Sequence, residues 1–396
     1  MLKATDHFEQ VKQSLAGDGA VRAQALAAAE ARGLPTRRLE HWHYTDLARL
    51  LKKPATANAP LIDSDFLALS AACVAFEAGT MVLPDARAGL TFAAAVPDDN
   101  TDMDAADAMT LYNRALVQGG LALSVDANAT HHVVVETRGH ETQHLRHHIK
   151  LAAGAQLTLI DDHRATGYSN IFWDIELAEN AALTFVQLQQ AGQQVSESDV
   201  RLGENAKLTR VHLLSAPDMA RHAGAIRMQG TGAHAELHSA ILGAGASHSD
   251  ITYVIDHQVA DTSSNTSSYQ ALSDEARGVF QGKIIIQRDA QNVSAEMQAR
   301  AIMLSERAEM DAKPELEIYA DDVACAHGTA IGEIDADALF FLRSRGLDKA
   351  AARQFLIAGF IKQAVDGVDD EHLLDVLHRH IDGKISSSLL SESVTS

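Results

Sequence analysis

Cysteine is scarce in this sequence: Cys73 and Cys325 are the two among 396 residues. That is too few for a disulfide framework, or for a zinc or iron–sulfur site closed by one chain's thiolates. Such usage fits a reducing compartment, and the expected location is the cytoplasm. Long apolar runs are also missing. No stretch approaches the roughly 20 apolar residues of a membrane span, and the opening MLKATDHFEQVKQSL has no apolar signal core. A soluble chain without membrane insertion is expected. Basic residues are in the minority, 33 Lys and Arg against 53 Asp and Glu, for a formal net charge of −20. Such a surface repels phosphate backbones, so nucleic acid is not an expected partner. There is no G-x-x-x-x-G-K-[ST] loop, so any ATP dependence has to come from another chain.

A chain of this length predicts two or three structural units. Phe8, Val11, Leu15, Val21, Ala25 and Leu26 are spaced for two amphipathic helices over residues 4–32, separated near Gly17 and Gly19. Gly33 and Pro35 then interrupt the chain, and Thr45 is placed to cap a short helix. Residues 53–104 show little organisation. A helix near 105–118 is expected before strands at 121–136, and residues 1–120 are read as a mostly helical N-terminal domain.

The middle of the chain repeats itself. LAENAALTFVQLQ, from Leu177, matches LGENAKLTRVHLLS, from Leu202, with relatives beginning at Leu151 and Met228. A near-constant interval of 25 or 26 residues, filled with short alternating strands and small turn residues, is the mark of stacked rungs sharing one core. The expected fold is mainly β: a parallel β-helix, or β-solenoid, over 121–335, with its terminal rungs covered by helical segments. Residues 336–396 read as a helical domain in which Asp348 caps one helix. Phe355, Ile357, Phe360 and Ile361 give that helix an apolar surface, for packing against the solenoid's end or for a partner.

Two constellations could carry chemistry. His140-Glu141-Thr142-Gln143-His144 satisfies H-E-x-x-H, but that motif needs helical context. The following LRHHIKL reads as a strand, which would separate the two imidazoles. His131, His132, His140, His144, His147, His148 and His163 are therefore read as polar residues of solenoid turns. The second constellation is Cys325-Ala326-His327-Gly328. In an extended strand, the period of two places Cys325 and His327 on one face, a soft thiol beside an imidazole. Two ligands make half a site. A buried structural cysteine with a hydrogen-bonded histidine, or a Cys–His nucleophile pair, fits the same residues.

From Lys313 to Ile361 the stretch KPELEIYADDVACAHGTAIGEIDADALFFLRSRGLDKAAARQFLIAGFI resembles the C-terminal signature of the SufB/SufD family of iron–sulfur cluster assembly proteins. The segment His248–Ala308 and RRLEHWHYTDL, from Arg37 to Leu47, resemble the same family. The SufB paralogue is longer and richer in cysteine, so this chain is similar to the SufD branch. The resemblance implies a β-helix core flanked by helical domains, and a non-catalytic scaffold subunit of the SUF system. It implies pairing with SufB, and binding of the ATPase SufC through C-terminal helices, for which Leu356, Phe360 and Ile361 are the candidates. It implies that His327 lies at the interface with SufB, where transient iron or a nascent cluster is held together with SufB ligands. Cys325 is the less certain ligand, with a structural or auxiliary role equally open. Downstream apo-proteins or carriers are reached through the complex, and a flavin is expected only there. The competing expectation is an independent β-solenoid hydrolase or lyase, zinc-dependent through His140 and His144.

Overall fold

The computed structural model describes residues 15, 19–53, 66, 69, 72–77, 80–95 and 106–386. Within them the dominant feature is a pair of parallel-stranded sheets, of ten and nine strands, to which the chain contributes alternately from β4 (Leu121–Val125) to β19 (Val323–Gly332). Two strands and their turns make one rung. The repeat seen in the sequence is the rung pitch: Leu151, Leu177, Leu202 and Met228 stand opposite one another in successive ladders and are all buried in the core between the sheets. Later rungs are longer. Leu177 lies opposite Leu202, but Arg277 lies opposite Glu309, which is why self-similarity fades beyond the fourth repeat.

The turns explain the recurring Glu-Asn-Ala. Asn180 and Asn205 adopt φ of 57° and 52°, and Gly154 and Gly232 hold the equivalent left-handed position, a conformation that Asn and Gly tolerate best. The Asn180 amide donates to the Glu204 carbonyl at 2.8 Å, and that of Asn205 to Thr231 at 2.9 Å. Each turn thereby satisfies the one before it.

Alternation along the strands sorts side chains into core and flank. On β9 (Ala182–Gln189), Leu183 and Phe185 face the interior while Val186 and Leu188 face outward. Not all of the interior is apolar. Arg210 is fully buried there, its guanidinium donating to the Gln187 side-chain oxygen (3.0 Å from Nε) and to the Ser198 hydroxyl (2.6 Å). The Gln187 amide in turn donates to Asp161 at 3.0 Å, so the buried charge is met by a chain of polar partners, as burial demands.

The helical segments lie along the solenoid rather than over its ends. Helix α1 (Gly19–Arg32), the turn at Trp42 and helix α3 (Ala108–Leu116) pack with Tyr168, Val195 and Met219 on the outer face of the nine-stranded sheet. Helices α5 (Lys349–Lys362) and α6 (Glu371–Lys384) cover outward residues of the ten-stranded sheet, among them Val134, Ile160, Val186 and Val211. The expectation that the C-terminal helices cap the end is corrected accordingly. They go where β strands expose an apolar outer stripe, which alternation supplies on the flank.

Two more readings change. Residues 72–94, assigned to a mostly helical domain, form β1 (Ala72–Glu77), β2 (Thr80–Val82) and β3 (Leu90–Ala94). β1 joins β5 (Thr130–Arg138) in parallel, and β3 joins β4 antiparallel, so the first rung is finished by strands. Thr45 is not the cap of the short helix α2 (Leu47–Leu50); the Asp46 carboxylate accepts from the Arg49 amide instead. Thr45 is buried, its hydroxyl 2.9 Å from His248 Nε2 and bonded to Asp250, which ties the Arg37–Leu47 segment to the sheet. The first of the two helices expected over 4–32, with Phe8 and Val11, lies outside the described residues. Asp348 does cap α5, accepting from Ala351 N at 2.8 Å.

Candidate functional site

The last rung is open. Among the described residues, β19 is the terminal strand of one sheet and β18 (Glu309–Ile318) of the other, each paired on one side only. Residues of β19 are mostly exposed, and Ile318, Tyr319 and Ile331 are large apolar side chains in contact with solvent. An unpaired edge with apolar flanks is a template for strand pairing by another chain.

Cys325 and His327 sit on this strand. Their ladder partners on β17 (Val293–Met303) are Ala295 and Met297, both buried core residues, so the cysteine and histidine share the inward-facing side of the strand. Cys325 packs against the core, while His327 is exposed because no rung lies beyond it. Beneath His327, Met297 fills the space left by Gly282 on the opposite sheet: a Cβ at Gly282 would come within 2.3 Å of the Met297 sulfur. The floor of the site is therefore a thioether and its wall an imidazole. Burial pushes the Cys325 thiol above its ordinary value, partly offset by a backbone hydrogen bond at Ala295. The thiol is protonated at neutral pH and needs a metal or a neighbouring positive charge to act as a thiolate.

The histidines fall elsewhere. His140 lies in a turn, its Nδ1 bonded to the Thr166 hydroxyl, and His144 lies on β6 (Gln143–Leu151), buried near the Tyr168 ring. No helix joins them, so they do not share an ion as a zinc protease requires. The reading of these histidines as turn residues is corrected for most: His131, His132, His144, His147, His148 and His163 are on strands. His147 is inside the core, 4.2 Å from the Trp173 ring, with Nδ1 accepting from Leu121 N at 3.1 Å. Burial pushes its pKa down to about 3, so it is a neutral packing element.

Of the candidate docking residues, Ile361 is fully buried against the ten-stranded sheet and Phe360 packs edge-on to Tyr269 at 5.3 Å. Leu356 is half-buried. The exposed rings are Phe355 on the other side of α5, and Phe340 and Phe341 on helix α4 (Ala336–Ser344). A turn of 3.6 residues places Phe355 and Phe360 on different faces, which the apolar spacing alone left ambiguous.

A cleft of about 840 Å³ lies elsewhere, on the outer face of the nine-stranded sheet beneath Trp42. Its charges are largely matched within it: Arg201 with Asp174, Arg227 with Asp199, and Lys150 with Glu176. It marks the seam where the N-terminal segment docks, and the chemistry of the open rung is independent of it. The bareness of that rung escaped sequence reading, which placed helical covers over the terminal rungs; strand pattern does not reveal where a helix docks.

Comparison with known proteins agrees with this architecture. The family described as SUF system FeS cluster assembly, SufBD core domain, matches residues 133–360. The Escherichia coli iron-sulfur cluster assembly protein SufD is 28% identical over 86% of this chain and 87% of its own length. SufD of Bacillus subtilis is 25% identical over 69% of this chain and 67% of its own, and a SufBD family protein of Synechocystis is 30% identical over 51% and 45%. The chain belongs to the SufBD family, is of the SufD type, and has a role in iron–sulfur cluster assembly.

Proposed function

We propose that this chain is a non-catalytic scaffold subunit that pairs with SufB through its open last rung and presents His327 to a transient iron ion or nascent cluster. The observation that carries the reading is the position of His327: exposed, on the inward side of an unpaired edge strand, above a buried thioether. One chain supplies a single firm ligand there, with Cys325 beside it. A second chain laid against β18 and β19 would extend both sheets and bring the missing ligands to the same place. A cluster held by few, mixed ligands from two chains is also one that can be released.

The cargo would be iron or a cluster, handed on to apo-proteins or carriers by the assembled complex. A flavin, if one takes part, belongs to the complex in this reading. Two free cysteines and the acidic surface fit a cytoplasmic location. ATP-driven change would come from SufC. Its docking surface is reassigned to the exposed rings Phe340, Phe341 and Phe355, with half-buried Leu356 at the margin.

The test is co-expression with SufB and SufC. His327→Ala should leave the complex assembled by size exclusion and lower its iron and cluster content at least tenfold; unchanged loading refutes the ligand role. Phe355→Asp should release SufC from a folded chain, whereas Phe360→Asp should impair folding first. Retention of SufC by a Phe340, Phe341 and Phe355 triple aspartate variant refutes the docking surface.

A further inference from the structure

One stretch of the solenoid's interior is polar on both walls. On the ten-stranded sheet, His163 of β7 (Gln156–His163) lies opposite Gln189 of β9, and Gln187 opposite His212 of β11 (Lys207–Ser215). On the nine-stranded sheet, Ser169 lies opposite Gln194, and Ser196 opposite His222. None of these side chains is more than 1% exposed, and each shares the inward side of its strand with core residues such as Leu159, Phe185, Leu214, Ile171, Val200 and Ile226. The two walls meet here: the His212 and His222 rings are 4.7 Å apart, and His222 Nε2 is 3.2 Å from the Gln189 side-chain oxygen. Among the described residues, neither ring nitrogen of His163 or His212 has a hydrogen-bond partner, nor does either polar atom of the Gln194 side chain. The same holds for His222 Nδ1 and for the hydroxyls of Ser169 and Ser196. Side-chain size leaves room beside them. The column through Ser196 reads Leu145, Ile171, Ser196, His222, Ile251 and Phe280 across successive rungs, so a serine stands where other rungs place a large apolar side chain. The next column falls from Gln194 to Ala220, Ser249 and Gly278. Ladder hydrogen bonds fix the rung spacing, so the neighbouring rungs cannot close in along the stack.

We propose that a cluster of enclosed water molecules binds between the two sheets here, held by His163, Ser169, Gln194, Ser196, His212 and His222. A buried polar group without a partner costs more than a satisfied one gains, and several together would outweigh the net stability of a domain, so partners are required. The lining selects water over an ion. Burial pushes His163 down to about 3, and burial together with Arg210 holds His212 and His222 well below the usual range. Each neutral ring therefore carries one donor and one acceptor nitrogen. The Gln194 amide likewise combines N–H donors with an acceptor oxygen, and each serine hydroxyl does both. An anion would meet the lone pairs of this lining. A cation would meet Arg210, whose guanidinium is bonded to Gln187, the ladder neighbour of His212. Water donates and accepts, and about two to four polar partners hold it. Enclosed water is not bulk solvent: it bonds the rings without supplying the solvation that an added proton needs, so the rings stay neutral.

The test is water ¹⁷O magnetic relaxation dispersion of the purified full chain, together with its crystal structure at a resolution that shows ordered water. The wild type should hold long-lived waters in solution, with density within hydrogen-bond distance of His212, Gln194 and Ser196 in the crystal. Ser196→Ile installs the side chain that Ile171 and Ile251 place in the same column, and should lower the dispersion amplitude by at least one long-lived water per chain. Gln194→Leu, which removes an amide from the cluster, carries the same expectation and serves where Ser196→Ile does not fold. Wild-type side chains that close on one another with no density between them overturn the proposal. So does an amplitude that is unchanged in whichever variant folds, or density that anomalous scattering identifies as an ion in place of water.

Discussion

His327 stands directly over Met297 in the last ladder of the ten-stranded sheet, the histidine exposed and the methionine fully buried. They are neighbours across one strand spacing, yet one belongs to the surface and the other to the core. Truncating them should therefore have opposite consequences. Met297→Ala should cost about 2–5 kcal/mol through lost burial and a residual cavity. His327→Ala should change stability by less than about 0.5 kcal/mol. Urea unfolding of both variants checks this; equal losses would show that the open rung is a continuation of the core.

Glycines in the solenoid differ in the same way. A Cβ on Gly230 would come within 2.0 Å of the Glu204 backbone nitrogen and 2.1 Å of the Gly203 carbonyl carbon, whereas one on Gly332 meets nothing within 4 Å. Backbone cannot rotate out of the way as a side chain can. Gly230→Ala should cost about 1–3 kcal/mol or more, and Gly332→Ala less than about 0.5 kcal/mol. Denaturation midpoints at equal m-value decide between this and a turn that relaxes freely.

Acid should destabilise the fold well before ordinary carboxylates titrate. Burial pushes His147 and His163 down to about 3, His248, His257 and His380 to about 4, and His212 and His222 well below the usual range. Unfolded chains bind these protons near pH 6.5 and the native state does not, so stability falls as pH drops from about 6.5 toward 4. Asp161 and Glu197, raised by burial to about 7 and about 8, act in the opposite sense, but they are two carboxyls against seven imidazoles. Urea unfolding at constant ionic strength should show the decline across pH 6.5 to 4.5. A flat or rising profile would mean that water reaches these rings.

Thr45 is a fastener for the N-terminal segment. Its buried hydroxyl bonds both His248 and Asp250, and Arg221 also reaches this segment, donating to the His41 carbonyl at 2.7 Å. Thr45→Val keeps the shape and removes the hydroxyl, so the expected loss is about 1–3 kcal/mol from buried partners left unmet. Limited proteolysis should cut near residues 37–53 sooner in the variant. Unchanged cleavage and stability would place the anchoring in Trp42 packing instead.

Much of the architecture was legible in the residues themselves. The recurrence of Leu151, Leu177, Leu202 and Met228 is the rung pitch, and Asn180 and Asn205 mark the turns because few other residues accept their backbone. Alternation also puts Cys325 and His327 on one face, as their ladder partners Ala295 and Met297 bear out. Local pattern carries this information because rungs stack on near copies of themselves, so each strand's environment resembles its neighbour's.

What pattern could not decide was whether the end of the stack is covered and what lies beside it. β19 reads like any other strand, and only the sheet order shows that its far edge is unpaired. Phe355 and Phe360 are both aromatic residues of one helix, and only docking on the ten-stranded sheet separates the exposed ring from the covered one. His147 and His327 are chemically identical side chains. One is neutral packing because it was folded inward beside Trp173, and the other is a candidate ligand because no further rung covers it. Composition and period determined the solenoid. The openness of its last rung, its covered flanks and the exposure of each histidine depend on contacts between distant segments, which tertiary packing alone sets.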